Sequence, residues 1–298
     1  MAGSSIRRFV RRSIRKTKSW GTIVALTLRG NRVEKKANLK RSKNPVLMLY
    51  GFGATRRTFS ILERRLYNDG YTVFSINLGG IFGTFNTHAI EELGAYIDQK
   101  IERLYKKYEF QGKLSIISHS KGGLIGHYYI KRLGGEQRVR RLITLGTPHN
   151  GNPWAMLAMF TPIHFLLKSV RQMTPMSNFI KRLKKGPFPK KVKLYSLYSK
   201  DDIVCPFPCA VLDEAPNVKN IEIEGISHSE FLIKKSAYNI IKHALHDQMP
   251  LSLEIRSREK MQERLGPSSR SRFRLIEGAK SLVFPDRQLP ALKANNQK

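Results

Sequence analysis

Short apolar segments alternate with helical patterns through the middle of this chain of 298 residues. The apolar segments are rich in residues that favour strands, and the segments between them show the amphipathic periodicity of helices. Predicted strands span Pro45–Tyr50, Thr72–Leu78, Leu114–Ser118, Leu142–Leu145, Val192–Tyr198 and Asn220–Ile223, and predicted helices span 57–67, 89–108, 123–133 and 230–246. This alternation predicts an α/β domain with a mostly parallel sheet and helices on both of its faces.

One connection is much longer than the others and runs from about residue 150 to residue 189. Its large apolar residues are Trp154, Met156, Leu157, Met159, Phe160, Ile163, Phe165, Leu166 and Leu167. An exposed loop would not carry so many, so this segment must cover something. We therefore expect an apolar insertion, either a mobile lid or a fixed cap that completes the core.

A predicted strand runs directly into a Ser-His-Ser-Lys-Gly turn and then into a helix, over residues 114–123. A serine at such a sharp strand-to-helix turn presents its hydroxyl as a nucleophile, and small residues two positions before and after it let the strand and helix approach. Gly122 supplies the later small residue, and Ser118 stands where glycine is usual. Ser120 is therefore the predicted nucleophile, in a turn of unusual composition.

Two later loops carry the partners that such a serine needs. A serine hydroxyl is a weak nucleophile at neutral pH, so it requires a histidine base and an acid that orients the histidine. The loop after the fifth predicted strand contains Asp201 and Asp202, and the loop after the sixth contains His228. Since catalytic groups collect at the carboxyl ends of parallel strands, we predict His228 as the base and Asp201 as the acid, with Asp202 as second choice.

Backbone N–H groups complete the predicted site. The tetrahedral intermediate of acyl transfer is held by the N–H of the residue after the nucleophile and by one from an earlier loop. Lys121 follows the serine, and Phe52 lies in the Tyr-Gly-Phe-Gly sequence after the first predicted strand. The two glycines permit a turn there. We therefore predict an oxyanion hole formed by the N–H groups of Phe52 and Lys121.

Several motifs occur in the order of a known family. Residues 47–53 read Leu-Met-Leu-Tyr-Gly-Phe-Gly, residues 118–122 form the serine turn, and residues 144–151 read Thr-Leu-Gly-Thr-Pro-His-Asn-Gly. Together with the two later loops they resemble an α/β-hydrolase of the lipase and esterase kind, similar to bacterial triacylglycerol lipases and GPI inositol-deacylase-like hydrolases. Tyr50 stands where that family usually has histidine. The resemblance covers about residues 44–244 and implies an α/β-hydrolase fold with a lid at the apolar insertion.

The termini are basic and lie outside this domain, which we place at residues 45–247. The chain has 54 Lys and Arg against 22 Asp and Glu, a formal net charge of +32, which attracts polyanions such as nucleic acid or an anionic membrane. Residues 1–44 contain a single acid and a potential apolar helical face formed by Ile6, Phe9, Val10 and Ile14. This predicts an amphipathic anchor on anionic lipid, although a disordered tail and a transit peptide fit the same composition. Residues 248–298 predict a mobile basic tail.

Cys205 and Cys209 lie in one short loop, so the chain has no disulfide framework, and a local bridge and two free thiols both fit. A zinc site would lack histidine ligands nearby. No apolar run reaches the roughly 20 residues of a membrane-spanning helix. We expect a cytoplasmic protein at the periphery of a membrane, with organellar import or export as alternatives.

These features predict a serine carboxylic-ester hydrolase that cleaves acyl esters of lipids through an acyl-enzyme at a membrane surface, with no metal or organic cofactor. An acyltransferase would use the same three residues and exclude water. A non-catalytic binding protein of the same fold is a second alternative. A nucleic-acid-binding protein would have the charge, but the chain carries no recognition motif for nucleic acid.

Overall fold

The computed structural model describes residues 18–32, 38–40, 42–80, 86–158, 160–161 and 168–265. The chain divides into two compact units, residues 1–254 and residues 255–298. The first unit contains the sheet and the candidate site. Of the second unit, residues 255–265 are described, and they are helical. The anchor face predicted at Ile6, Phe9, Val10 and Ile14 lies outside the described residues.

A parallel sheet of six strands forms the centre of the first unit, in the spatial order β2-β1-β3-β4-β5-β6. The strands are β1 Pro45–Leu49, β2 Thr72–Ser75, β3 Leu114–His119, β4 Val139–Leu145, β5 Lys193–Tyr198 and β6 Val218–Glu222. Every adjacent pair is parallel. β1 and β3 are buried along their whole length, as expected for strands covered on both faces. The α/β fold predicted from the alternating pattern is confirmed.

Four of the helices, at residues 60–68, 90–108, 121–132 and 235–246, occupy positions that the periodicity predicted. After α1, which comprises residues 18–28, the helices are α2 Ser60–Asn68, α3 Ile90–Tyr108, α4 Lys121–Arg132, α5 Pro153–Ala158, α6 Lys168–Gln172, α7 Asn178–Lys184, α8 Lys235–His246 and α9 Leu251–Leu265. Short 3-10 turns at Arg56–Phe59 and His228–Leu232 precede α2 and α8. α3 shows why the pattern was informative, because its buried residues Ile90, Leu93, Ile97 and Ile101 recur every three or four positions.

The amino-terminal helix α1 belongs to the first unit, whereas the sequence placed all of residues 1–44 outside the domain. Leu26 is buried, and the Thr55 hydroxyl donates to the Thr27 carbonyl at 2.9 Å. α1 therefore packs against the loop that follows β1. The apolar residues of α1 are visible in the sequence, but only the fold shows which surface they pack against.

The carboxyl-terminal boundary also differs from the prediction. The mobile tail was expected from residue 248, but Leu251–Leu265 form α9. This segment is rich in Leu, Glu, Arg, Lys, Met and Gln, which all have high helix propensity. Residues 266–298 lie outside the described part of the chain.

The described part of the apolar insertion between β4 and β5 folds into short helices, and residues 159 and 162–167 lie outside it. Its later part is core, because Val170 on α6 and Phe179, Ile180 and Leu183 on α7 are buried. The hydroxyl of Ser169 also attaches α6 to the segment before α3, by a hydrogen bond of 3.0 Å to the Thr87 carbonyl. Its first helix is different, since Trp154, Met156 and Leu157 on α5 are exposed. The insertion thus combines a packed cap with an apolar outer surface.

Candidate active site

Ser120 occupies the turn between β3 and α4 with φ 54° and ψ −127°. An L-residue rarely adopts this conformation, which costs on the order of 1–3 kcal/mol. The surroundings hold it in place, because the Ser120 N–H donates to the Leu145 carbonyl at 3.0 Å and the Ser120 carbonyl accepts from the Thr147 hydroxyl at 3.0 Å. This strained strand-to-helix turn has the geometry of a nucleophile elbow.

The residues two positions before and after Ser120 allow β3 and α4 to approach closely at this turn. A Cβ atom at Gly122 would lie 2.1 Å from the Leu49 carbonyl oxygen, so no larger residue fits at this crossing of α4 and β1. Ser118 is fully buried, and its hydroxyl donates to the Ile143 carbonyl of the neighbouring strand at 3.3 Å. Serine can therefore stand in place of the usual glycine, because its buried hydroxyl group has a hydrogen-bond acceptor.

The structure corrects the predicted partner of the histidine. His228 Nδ1 lies 2.7 Å from Oδ2 of Asp202, which is buried, and the second oxygen of Asp202 accepts the N–H groups of Val204 and Cys205 at 2.9 and 2.8 Å. Asp201 instead accepts the N–H of Gly225 at 2.9 Å. The choice of Asp201 as the acid was wrong. Two adjacent carboxylates follow the strand, and the second of them, Asp202, faces His228.

The end of β4 brings these residues to one place. The Leu145 carbonyl accepts the Ser120 N–H, and the next residue is Gly146 with φ +54°. A Cβ atom at Gly146 would lie 2.7 Å from Asp202 Oδ2 and 3.0 Å from His228 Nδ1. Ser120, Asp202 and His228 therefore border a single turn at the carboxyl edge of the sheet.

His228 is held from two sides. In the 3-10 turn that begins with it, the Glu230 carboxylate accepts the Ser227 N–H at 2.8 Å and lies 3.2 Å from the Lys234 ammonium. On the other side, His119 Nε2 lies 3.0 Å from the His228 carbonyl oxygen. Burial lowers the pKa of His119 well below its ordinary value, so its ring is neutral. Sequence reasoning did not indicate this contact.

The predicted oxyanion loop lies against the nucleophile and is fixed by an asparagine that the sequence did not indicate. A Cβ atom at Gly51 would lie 3.0 Å from the Ser120 Cβ. Asn86 ties this loop by three hydrogen bonds: its carbonyl accepts the Gly53 N–H at 3.0 Å, its N–H donates to Ala54 at 3.1 Å, and its side-chain amide donates to Tyr50 at 2.8 Å. Phe52 is therefore in a restrained turn beside the serine.

Tyr50, which occupies the position where histidine is usual, is a buried structural residue. Its hydroxyl accepts the Leu78 N–H at 2.6 Å and donates to the side-chain oxygen of Asn77 at 3.3 Å. Burial raises the pKa of Tyr50 to about 12, so the phenol stays protonated. The tyrosine thus links the end of β1 to the loop after β2.

The two cysteines are free thiols in this structure, although the sequence also allowed a bridge between them. Burial raises the pKa of both thiols, so both are protonated at neutral pH. Within the described residues, no group of three His, Cys, Asp or Glu side chains is arranged to hold a metal ion.

A parallel sheet with a strained serine after β3 and an Asp-His pair after β5 and β6 defines an α/β-hydrolase of the lipase and esterase kind, as the sequence motifs predicted. The sequence profile of the palmitoyl protein thioesterase family matches residues 45–193, half of the chain. The chain therefore belongs to the palmitoyl protein thioesterase family, which makes it an ester-hydrolysing enzyme. The matched region contains Ser120 and ends before Asp202 and His228.

Solved lipases share the fold at low sequence identity. The mature lipase BlEst2 of Bacillus licheniformis is 19% identical, with a TM-score of 0.55 over 72% of this chain and 96% of that one. Aspergillus fumigatus lipase B is 17% identical, with a TM-score of 0.57 over 76% of this chain and 57% of that one. Phospholipase PlaB of Legionella pneumophila is 14% identical, with a TM-score of 0.54 over 72% of this chain and 62% of that one. At these identities the likeness extends to the fold alone.

Proposed function

We propose that this chain is a serine hydrolase that cleaves carboxylic esters or thioesters of long acyl chains through an acyl-enzyme. The observation that carries the proposal is the contact of 2.7 Å between His228 and the buried Asp202, next to the strained Ser120. A carboxylate on Nδ1 fixes the imidazole so that Nε2 is free to act as a base. Next to a serine, such a histidine can take the proton of the hydroxyl group.

In the proposed reaction, the Ser120 hydroxyl attacks the acyl carbonyl and His228 Nε2 takes its proton. His228 then passes this proton to the departing alcohol or thiol, which leaves the acyl group on the serine. Water, activated by the same histidine, attacks the acyl-enzyme and releases the acid. The N–H groups of Phe52 and Lys121 hold the oxyanion in both steps.

Apolar side chains beside these groups support a long acyl chain as the substrate. Phe52 and Ile203 are exposed, and they lie on the loops that carry the oxyanion donor and the acid. Trp154, which is also exposed, connects the insertion to the second of these loops, because its indole N–H donates to the Ile203 carbonyl at 2.6 Å. The palmitoyl group in the name of the family is an acyl chain of this kind.

Labelling with a fluorophosphonate probe tests the proposed nucleophile. We expect the native chain to be labelled at Ser120, Ser120→Ala to lose all labelling, and His228→Ala to be labelled at least about 10³-fold more slowly. Ser115→Ala is the matched control, because Ser115 is a buried serine on β3, the strand before the Ser120 turn, and contacts Arg140 instead. Labelling that persists in Ser120→Ala would contradict the assignment, and a folded native chain without labelling would favour the non-catalytic alternative.

We also propose that the enzyme works on an anionic membrane surface, and α1 supports this. Trp20, Val24 and Leu28 are 45, 49 and 73% exposed and recur every four residues, so they form one apolar stripe on the outside of the helix. Exposed Lys18 and Arg29 lie at its two ends. An apolar stripe flanked by cations suits a helix that lies in the interface of an anionic bilayer.

The contacts of α1 also support a membrane surface near the candidate site. The Ser19 hydroxyl donates to the Glu230 carboxylate at 3.4 Å, and Glu230 caps the turn that begins with His228. Among the helices in the described part of the chain, none combines the length and the apolar character needed to cross a bilayer. We propose that the anchor is peripheral, and the cytoplasmic location stays a prediction.

Vesicle flotation tests the membrane proposal. We expect binding to vesicles that contain anionic lipid, weakening as salt is raised, because screening shortens the range of the attraction. The double variant Trp20→Ser with Leu28→Ser should bind at least about tenfold more weakly, since each side chain loses apolar contact with the bilayer. Tyr67→Ser is the control, because Tyr67 is similarly exposed but lies on α2. Equal binding to neutral vesicles, or unchanged binding by the double variant, would contradict the proposal.

A further inference from the structure

The side chain of Lys121, the residue directly after the candidate nucleophile, is fully buried. Its ammonium nitrogen lies 2.6 Å from the His88 carbonyl oxygen, 2.8 Å from the Asn86 side-chain oxygen and 3.4 Å from the Asn86 carbonyl oxygen. All three partners accept hydrogen bonds, and an ammonium group has three hydrogens to donate. The pocket therefore matches the charged form of lysine, since a neutral amine has only two hydrogens and would turn its lone pair toward one of the three acceptor oxygens.

Burial of this lysine does not by itself stabilise the fold. Lysine is almost never fully buried without a partner, and taking its charge out of water costs several kcal/mol. An apolar side chain would fill the start of α4 without that cost. Lys121 is held by neutral oxygens, and these belong to the segment that fixes the oxyanion loop. The contacts connect the lysine to the site more directly than to the core.

We propose that Lys121 sets the position of both oxyanion donors. Its backbone N–H is one donor, and its side chain holds Asn86, which in turn ties the loop of the second donor, Phe52, through Tyr50, Gly53 and Ala54. The ammonium also lies 5.6 Å from the centre of the Phe52 ring. Lys121 is thus a positioning residue that fixes the spacing between the two N–H groups. This inference rests on the proposed acyl-enzyme mechanism.

The charge on this lysine also gives the reaction a dependence on pH. Burial lowers the pKa of Lys121 to about 7, while the negative charge of Glu92 on α3 opposes the shift. The other groups that face the ammonium are the carbonyl of His88, both oxygens of Asn86 and the ring of Phe52. The ammonium is present below this pKa and is lost as the pH rises through it. One of the three hydrogen bonds is then lost, so we expect kcat to fall on the alkaline side.

Lys121→Met tests the proposal with a soluble short-chain ester as the substrate. We expect kcat to fall about 10- to 100-fold, less than the 10²- to 10³-fold that typically follows complete loss of an oxyanion donor, while KM changes little. The alkaline decrease in kcat should disappear in this variant. Lys131→Met is the matched control, because Lys131 lies on the same helix and also donates to a backbone carbonyl, that of Gly186 at 2.5 Å, away from the candidate site.

Several results would overturn the inference. One is a kcat for Lys121→Met equal to that of the native chain, and another is an alkaline decrease that persists unchanged in the variant. A fall in melting temperature without a fall in kcat would show a purely structural role. If Lys121→Met does not fold, the rate of fluorophosphonate labelling of the native chain across pH is measured instead, and a rate that does not fall above the lysine pKa would contradict the proposal. Native labelling at Ser120 tests the proposed function separately, so the two failures are distinguishable.

Discussion

Asp202→Asn is expected to lower kcat by about 10⁴-fold, since a triad in which asparagine replaces the acid holds its histidine in the wrong tautomer. The buried carboxylate of Asp202 accepts from His228 Nδ1 and from two backbone N–H groups. An amide in its place could turn an NH₂ group toward the ring, and Nδ1 would then have to accept a hydrogen bond. Nε2 would carry the proton and could not act as the base.

Asp201→Asn is the matched control for this prediction, because it makes the same chemical change one residue earlier. Asp201 holds the Gly225 N–H, so we expect a loss of less than about tenfold from a slightly displaced histidine loop. Both variants are measured with a soluble ester, and their folding is compared by circular dichroism. A large loss in Asp201→Asn with a small one in Asp202→Asn would show that the geometry of the resting structure is not that of the reaction.

Gly122→Ala is expected to have the largest effect on folding, with a loss of at least about 3 kcal/mol in the free energy of unfolding. The added Cβ would lie 2.1 Å from the Leu49 carbonyl oxygen and 2.9 Å from that of Tyr50. Both atoms are backbone, so neither can turn aside as a flexible side chain would. The start of α4 would have to move away from β1, which would relax the turn at Ser120.

Gly126→Ala provides the control on the same helix. A Cβ atom there would lie 3.1 Å from a methyl group of Leu142, which can shift, and alanine favours the helix by roughly 0.5–1 kcal/mol over glycine. We therefore expect a change within about 1 kcal/mol, measured by chemical denaturation. Equal stability of Gly122→Ala and Gly126→Ala would show that α4 and β1 are packed less closely than in this structure.

The fold and much of the site could be predicted because their signals are local. A buried strand, an amphipathic helix and a strand-to-helix turn each show in a few consecutive residues, and the order of the motifs gave Ser120, His228 and the loop of Phe52. The structure places the serine in a strained turn and the histidine against a buried carboxylate. The sequence also showed that Ser118 replaces the usual glycine before the nucleophile. The turn accommodates Ser118 because its hydroxyl donates to a backbone carbonyl on β4.

The remaining features depend on which distant segments meet. Two adjacent aspartates are equivalent in a sequence, and the fold alone turns Asp202 toward His228 and Asp201 toward Gly225. Asn86 is 35 residues from Lys121, and no local pattern connects them. The sequence by itself therefore determined the elements, their order and the residue types that carry the chemistry. Only the tertiary structure decided which carboxylate, which amide and which buried charge surround the serine, because hydrogen bonds between loops depend on the packing of the whole sheet edge.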